Sequence, residues 1–204
     1  MDAQVNRLMW GLRELQLTGR IAVVLTADHG EGLGDHGILG HGRNLHEELV
    51  RVPLIVRAPG LPRGRRLTGP AQLEDLYATL VSLIGAEPVS GIDGRDLLPW
   101  LRGIADASPR DVAFGRRRRY EGEPTLYYER RGQAKWIGSL DGAGTRYDLA
   151  ADPKEREGRP EPDMPGALRA RIAEVSTPGP PRQSISETAR RALEALGYVR
   201  PDVP

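Results

Sequence analysis

Apolar positions set the first element. Val5, Leu8, Met9, Leu12 and Leu15 recur at intervals of three and four, which predicts an amphipathic helix over residues 2–16 with Trp10 at its edge. Leu17-Thr18-Gly19-Arg20 turns the chain into Ile21-Ala22-Val23-Val24-Leu25-Thr26-Ala27, a run apolar enough for a strand covered on both faces, as inside a parallel sheet. A short helical turn is expected at Leu45–Leu49 and a second strand at Val52–Val56, with Pro53 near its start where a missing N–H does least harm. Leu73, Leu76, Tyr77, Leu80, Val81 and Ile84 mark a second amphipathic helix, stopped by Gly85.

The pattern then changes. Leu97–Leu101 reads as a short helical segment, Thr125–Arg130 and Ala134–Ser139 as two strands joined at Gly132, and Tyr147-Asp148-Leu149 as a third, before a turn at Asp152-Pro153. Gly166–Val175 suggests a helix. Thr177–Pro181 breaks it, and the capping box Ser184-Ile185-Ser186-Glu187 opens a last helix ending at Gly197. Helix–strand alternation followed by hairpins gives an α/β class with three parts. These are residues 1–105 as the α/β piece, 106–176 as a small hairpin-rich α+β subdomain, and 177–204 as a proline-rich linker with a terminal helix.

Composition narrows the function classes. Twenty-nine basic and 28 acidic residues give a net charge of +1, which makes no general electrostatic case for nucleic acid or a membrane surface. The run Arg116–Arg119 stands without neighbouring basic clusters and reads as a solvated loop. No apolar run reaches spanning length, and residues 1–15 lack the pattern of a signal peptide. With no cysteine, neither disulfides nor a cysteine-derived nucleophile can come from these residues. The compartment stays open.

Candidate chemistry lies where the first strand ends. All four histidines (His29, His36, His41, His46) fall within eighteen residues, interleaved with Asp28, Glu31 and Asp35 and with six glycines from Gly30 to Gly42. Ligands of α/β sheets bind beyond the carboxyl ends of strands, where Asp28 and His29 stand. A carboxylate beside an imidazole suits zinc, manganese or iron, and the carboxylate alone suits calcium or magnesium. The plainer alternative is a turn-capping aspartate beside a surface histidine. His41, between glycines, could bind an anionic oxygen or protonate a leaving group, or could simply face water. Glu31 could orient His29, while His36 and His46 read as structural or supporting. His46-Glu47-Glu48 lacks the second histidine of a zinc-protease helix, and the glycine stretch lacks the Gly-Lys-Ser/Thr of a nucleotide loop.

Leu25-Thr26-Ala27-Asp28-His29-Gly30-Glu31-Gly32-Leu33-Gly34-Asp35-His36-Gly37, then His41-Gly42, Leu45-His46-Glu47-Glu48 and Arg51-Val52-Pro53-Leu54-Ile55-Val56-Arg57, resemble the second half of the sulfatase family, within the alkaline phosphatase-like superfamily. The likeness runs on through Asp75–Leu83, Asp93-Gly94-Arg95-Asp96-Leu97-Leu98, Lys135-Trp136-Ile137, Tyr147–Pro153 and Ala192–Tyr198. It implies part of a doubly wound α/β sandwich with a small C-terminal sheet subdomain. It also implies metal-dependent hydrolysis of the sulfate esters of small molecules or glycans. On that resemblance Asp28 and His29 would be two ligands of a divalent cation, calcium first with manganese or zinc as alternatives. His41 would contact the sulfate or its bridging oxygen and take part in catalysis. The formylglycine nucleophile, made from a Cys or Ser followed by x-Pro-x-Arg, would be supplied from an amino-terminal half. Ser108-Pro109-Arg110 and Ser90-Gly91-Ile92 do not fit its pattern.

The strand at Ile21–Ala27 also needs more neighbours than these residues offer, since leaving its faces wet costs about 25 cal/mol per Å². The expectation is therefore a carboxyl-terminal portion that shows no turnover alone. Phosphodiesterases, phosphonate hydrolases and phosphoethanolamine transferases of the same superfamily are the alternative in chemistry. A non-catalytic binding module is the alternative of another class.

Overall fold

A computed structural model describes residues 1–118, 122–140 and 144–176. The chain divides into two compact units, Met1–Leu168 and Arg169–Pro204. The expected break at Thr177–Pro181, the capping box and the last helix lie outside the described residues. The expected boundary near residues 103–112 falls inside the first unit, where the α/β segment gives way to the larger sheet.

Helix α1 (Asp2–Glu14) forms as its periodicity predicts, yet it buries none of its residues: Leu8 and Trp10 are each 59% exposed. Strand β1 (Val23–Leu25) is shorter than the apolar run that encodes it. The glycine-rich stretch is not featureless. It folds as a hairpin of β2 (Gly32–Leu33) and β3 (Leu39–Gly40), with a 3-10 turn at Asp35–Gly37 between them. Helix α2 (Glu47–Val50) follows, then β4 (Ile55–Arg57). Strand β4 pairs antiparallel with β1, Val24 opposite Val56, so the direction of pairing differs from the parallel arrangement that the apolar run suggested. Pro53 explains the late start of β4: it has no N–H to give a ladder.

Helices α3 (Asp75–Leu83) and α4 (Leu98–Arg102) close the α/β segment. Gly85 beyond α3 has φ +77°, the left-handed backbone that ends a helix cheaply only at glycine. Five strands then form an antiparallel meander: β5 (Val112–Arg117), β6 (Leu126–Arg131), β7 (Ala134–Ser139), β8 (Gly144–Asp148) and β9 (Arg159–Glu161). Helix α5 (Gly166–Ser176) comes last among the described elements.

Strand β5 corrects the reading of Arg116–Arg119 as a solvated loop. Arg116 and Arg117 are in the sheet, opposite Tyr127 and Leu126, and the Arg117 side chain is only 6% exposed. Buried apolar residues come from α2 (Leu49), α3 (Ala78), α4 and the residue before it (Leu98, Trp100, Leu97), the sheet and the residue after β8 (Trp136, Leu149), and α5 (Leu168).

Candidate functional site

The hairpin explains how distant residues meet. Gly32 pairs with Gly40 and Leu33 with Leu39, so the residues just outside the pair, Glu31 and His41, return to the end of β1. The His29 and His41 rings lie 4.2 Å apart, centroid to centroid, tilted by 34°. Asp28 Oδ2 stands 3.6 Å from His29 Nε2, and Asp28 Oδ1 accepts the backbone N–H of His29 at 3.0 Å. Nδ1 of His29 donates to the Gly30 carbonyl at 2.8 Å. That bond places a ring proton on Nδ1 and turns Nε2 toward the Asp28 carboxylate.

Glu31 does not orient His29. Both of its carboxylate oxygens lie 3.4 Å from His41 Nδ1, a long contact between half-exposed groups. His29 takes its orientation from its own backbone neighbour, a partner that no side-chain pattern reveals. Gly30 itself is fixed by backbone. Its N–H donates to Leu49 O at 2.8 Å, and a Cβ there would collide with the Glu48 carbonyl.

Asp28, His29 and His41 line one open cleft of about 1290 Å³. Other walls carry Arg51, Arg66, Arg116, Arg117, Arg130 and Tyr128. Burial, with Glu47 nearby, pushes the Tyr128 hydroxyl up to about 12, so it serves there as a neutral phenol. Asp28 and His29 offer one carboxylate oxygen and one imidazole nitrogen to a common point, a donor set that fits a divalent cation needing further ligands. Ser108, which does not fit the nucleophile pattern, has structural partners of its own. Ser108 Oγ donates to the Pro70 carbonyl and accepts the Arg110 N–H, and the Arg110 guanidinium is buried on Asp75.

His36 and His46 join Glu48 in a second cluster outside this cleft. Spacing along the chain groups all four histidines in one stretch but does not reveal this partition, because it depends on the 3-10 turn at the hairpin tip.

Comparison with known proteins places the fold in a class. Solved structures with the alkaline phosphatase-like sulfatase fold superpose on nearly the whole chain. The phosphonate monoester hydrolase of Agrobacterium radiobacter is 27% identical with a TM-score of 0.67, over 97% of this chain and 39% of its own. BT4656, solved in complex with its substrate D-glucosamine-2-N,6-O-disulfate, is 24% identical with a TM-score of 0.69, over 98% of this chain and 40% of its own. Residues 1–86 match the Sulfatase family model. Over that segment the chain is similar to the sulfatase family. Among curated relatives, arylsulfatase K of Mus musculus is 29% identical over 76% of this chain and 29% of its own length. Steryl-sulfatase of Mus musculus is 38% identical over 56% and 21% respectively. The chain thus spans under a third of the length of the curated relatives it matches. Among the described residues, no helix is long and apolar enough to cross a membrane.

Proposed function

We propose that this chain contributes to the hydrolysis of sulfate esters of a small molecule or glycan. The observation that carries the reading is the convergence of the Asp28 carboxylate, His29 Nε2 and the His41 ring on one cleft. Asp28 and His29 would hold a divalent cation, calcium first, manganese or zinc as alternatives. Such an ion would supply Lewis-acid stabilisation to the transferring group. His41, set beside Glu31, would hydrogen-bond the ester oxygens and give a proton to the leaving oxygen. The arginines on the cleft walls favour anionic substrates. The nucleophile and the remaining metal donors come, on this reading, from polypeptide beyond these 204 residues, so the chain alone is expected to show no turnover.

The phosphonate monoester hydrolase likeness, at 27% identity, supports a second reading as a phosphoryl-transfer enzyme. Both are tested in a polypeptide that includes the upstream half. Aryl sulfate hydrolysis should exceed that of a phosphonate monoester. His41→Ala should lower kcat by about 10²–10⁴-fold, the range of a lost general acid. Asp28→Ala and His29→Ala should each weaken calcium and manganese binding in calorimetry. A phosphonate preference would move the assignment to the second reading, and a His41→Ala enzyme with unchanged kcat would remove that residue from the chemistry.

A further inference from the structure

The second histidine cluster has a geometry of its own. Nδ1 of His36 faces Glu48 Oε1 at 2.9 Å, and its Nε2 faces the backbone carbonyl of Glu155 at 3.1 Å. Both partners only accept, so both ring nitrogens donate when His36 is an imidazolium. His46 stacks on that ring at 3.7 Å, nearly parallel at 6°. Its Nε2 meets the Tyr147 hydroxyl at 3.3 Å, while its Nδ1 is buried without a partner among the described residues. A cation lying over a neutral aromatic face is a favourable arrangement, and a second cation there is not.

The backbone reinforces the point. Among the described residues, three non-glycine positions adopt positive φ: Gln16, His36 and Glu155. Two of them, each at +52°, meet in the His36–Glu155 bond. Left-handed backbone at such residues persists only where the surroundings hold it.

We propose that His36, charged between Glu48 and Glu155 and stacked on neutral His46, is a proton-dependent clasp that fastens the β2–β3 hairpin to the C-terminal sheet. Its parts come from the hairpin tip (His36), α2 and the residue before it (Glu48, His46), β8 (Tyr147) and the turn ahead of β9 (Glu155). The other charged groups nearby are Lys135 on β7 and the Glu155 carboxylate. Lys135 pairs with Glu155 at 2.9 Å and with Glu47 at 3.0 Å. A single ion shared by both rings does not fit this arrangement. Imidazole lone pairs lie in the ring plane, and two rings stacked within 6° of parallel with centroids 3.7 Å apart do not aim their lone pairs at one point.

The charge states agree with the geometry. Burial draws His36 toward neutrality, but the Glu155 carbonyl and the Glu48 carboxylate outweigh it and raise its pKa above 6.5. Burial, the His36 charge and Lys135 push His46 down to about 4, against Glu48. The His36 link is complete below 6.5 and is lost as pH rises through its raised value. The stack fails at the acid end, as pH falls through about 4 and His46 gains a proton. Since the hairpin carries Glu31 and delivers His41, the clasp acts as a positioning device for the cleft.

Histidine nitrogen NMR of the full chain between pH 4 and 9 tests this. His36 should carry protons on both nitrogens at pH 6.5 and titrate above it, with His46 neutral down to about 4. Above the His36 pKa, amide exchange of residues 32–40 should rise tenfold per pH unit beyond its intrinsic rate, the slope of a one-proton opening. Glu48→Gln should move that onset to lower pH. A neutral His36 at pH 6.5, or hairpin exchange that follows only the intrinsic rate, would overturn the clasp. So would stoichiometric zinc binding lost in His46→Ala, which would replace it with a metal site. The wild-type titration decides even if a variant fails to fold. The clasp does not rest on the sulfate-ester reading, whose failure would show in turnover and not in the histidine spectra.

Discussion

Asp75 shows how much one side chain can hold. It is fully buried, and its carboxylate accepts from the Gln72 and Arg95 backbone N–H groups and from the Arg110 guanidinium, itself 8% exposed. Asp75→Ala leaves two backbone N–H groups without their acceptor and the buried Arg110 guanidinium with the partly exposed Glu74 as its remaining carboxylate partner. The expected loss is about 3–5 kcal/mol, a large share of the roughly 5–15 kcal/mol available to a domain. A lowered denaturant midpoint would register it, and a midpoint within experimental error of wild type would refute the role. Lys135, with no exposed side-chain surface between Glu47 and Glu155, follows the same logic. Lys135→Met should cost a similar amount, about 3–5 kcal/mol, because the buried Glu155 carboxylate loses its cation while Glu47 keeps Arg130. Thermal unfolding would measure it. Neither ion pair could be read in advance: the partners are 35 residues apart in one case and 88 and 20 in the other, and sequence spacing says nothing about such distances.

Among elements, legibility followed the strength of the local signal. Helix α3 holds four of the six residues of its apolar pattern, with Leu73 before it and Ile84 just after it, and it buries Asp75, Ala78 and Thr79 while Tyr77 and Leu80 stay exposed, so the pattern placed the helix but not its packed face. The β6–β7 hairpin was equally plain, because Gly132 supplies the positive φ of its turn. Strand β5 was not legible. Its arginines look solvated, yet Gly115 gives way to the Tyr128 ring and Arg117 packs along the sheet, so cross-strand fit overrides polarity. The hairpin tip was hidden for another reason: six glycines mask the two-residue ladders of β2 and β3. At the other end of the sheet, the Trp136 indole, 3% exposed, donates to the Glu161 carbonyl and occupies the space above Gly138 and Gly144. Gly144→Ala would drive a methyl into that ring. Overpacking of this kind costs about 1–3 kcal/mol, and it should lower Tm and shift the Trp136 fluorescence. Unchanged fluorescence and Tm would show that the ring can move aside.

For the whole molecule, pH is the informative variable. Burial raises Glu48, but its own backbone N–H, His36 and Asn44 outweigh that and bring it below 4.5. A depressed carboxylate contributes stability above its unfolded value and loses it as pH falls through the folded one. His46, held down to about 4, fails in the same direction. The first unit is therefore expected to lose stability, with proton uptake on unfolding, as pH falls from about 6.5 through about 4, where His46 is charged only in the unfolded chain, and Glu48 extends the loss as pH falls below 4.5. Denaturant titration at a series of pH values measures it, and a flat profile between pH 6.5 and 4 would contradict it. The site adds a consequence of the short β1–β4 ribbon. Asp28 follows β1 by three residues, and each three-residue strand has only one neighbour in its sheet. Any strand that came to lie alongside would rotate the ribbon, since adjoining strands twist relative to one another by about 20–25°. The aim of the carboxylate into the cleft is therefore open to change by any strand that pairs with this ribbon, and substitutions on such a strand would shift Asp28 without touching it.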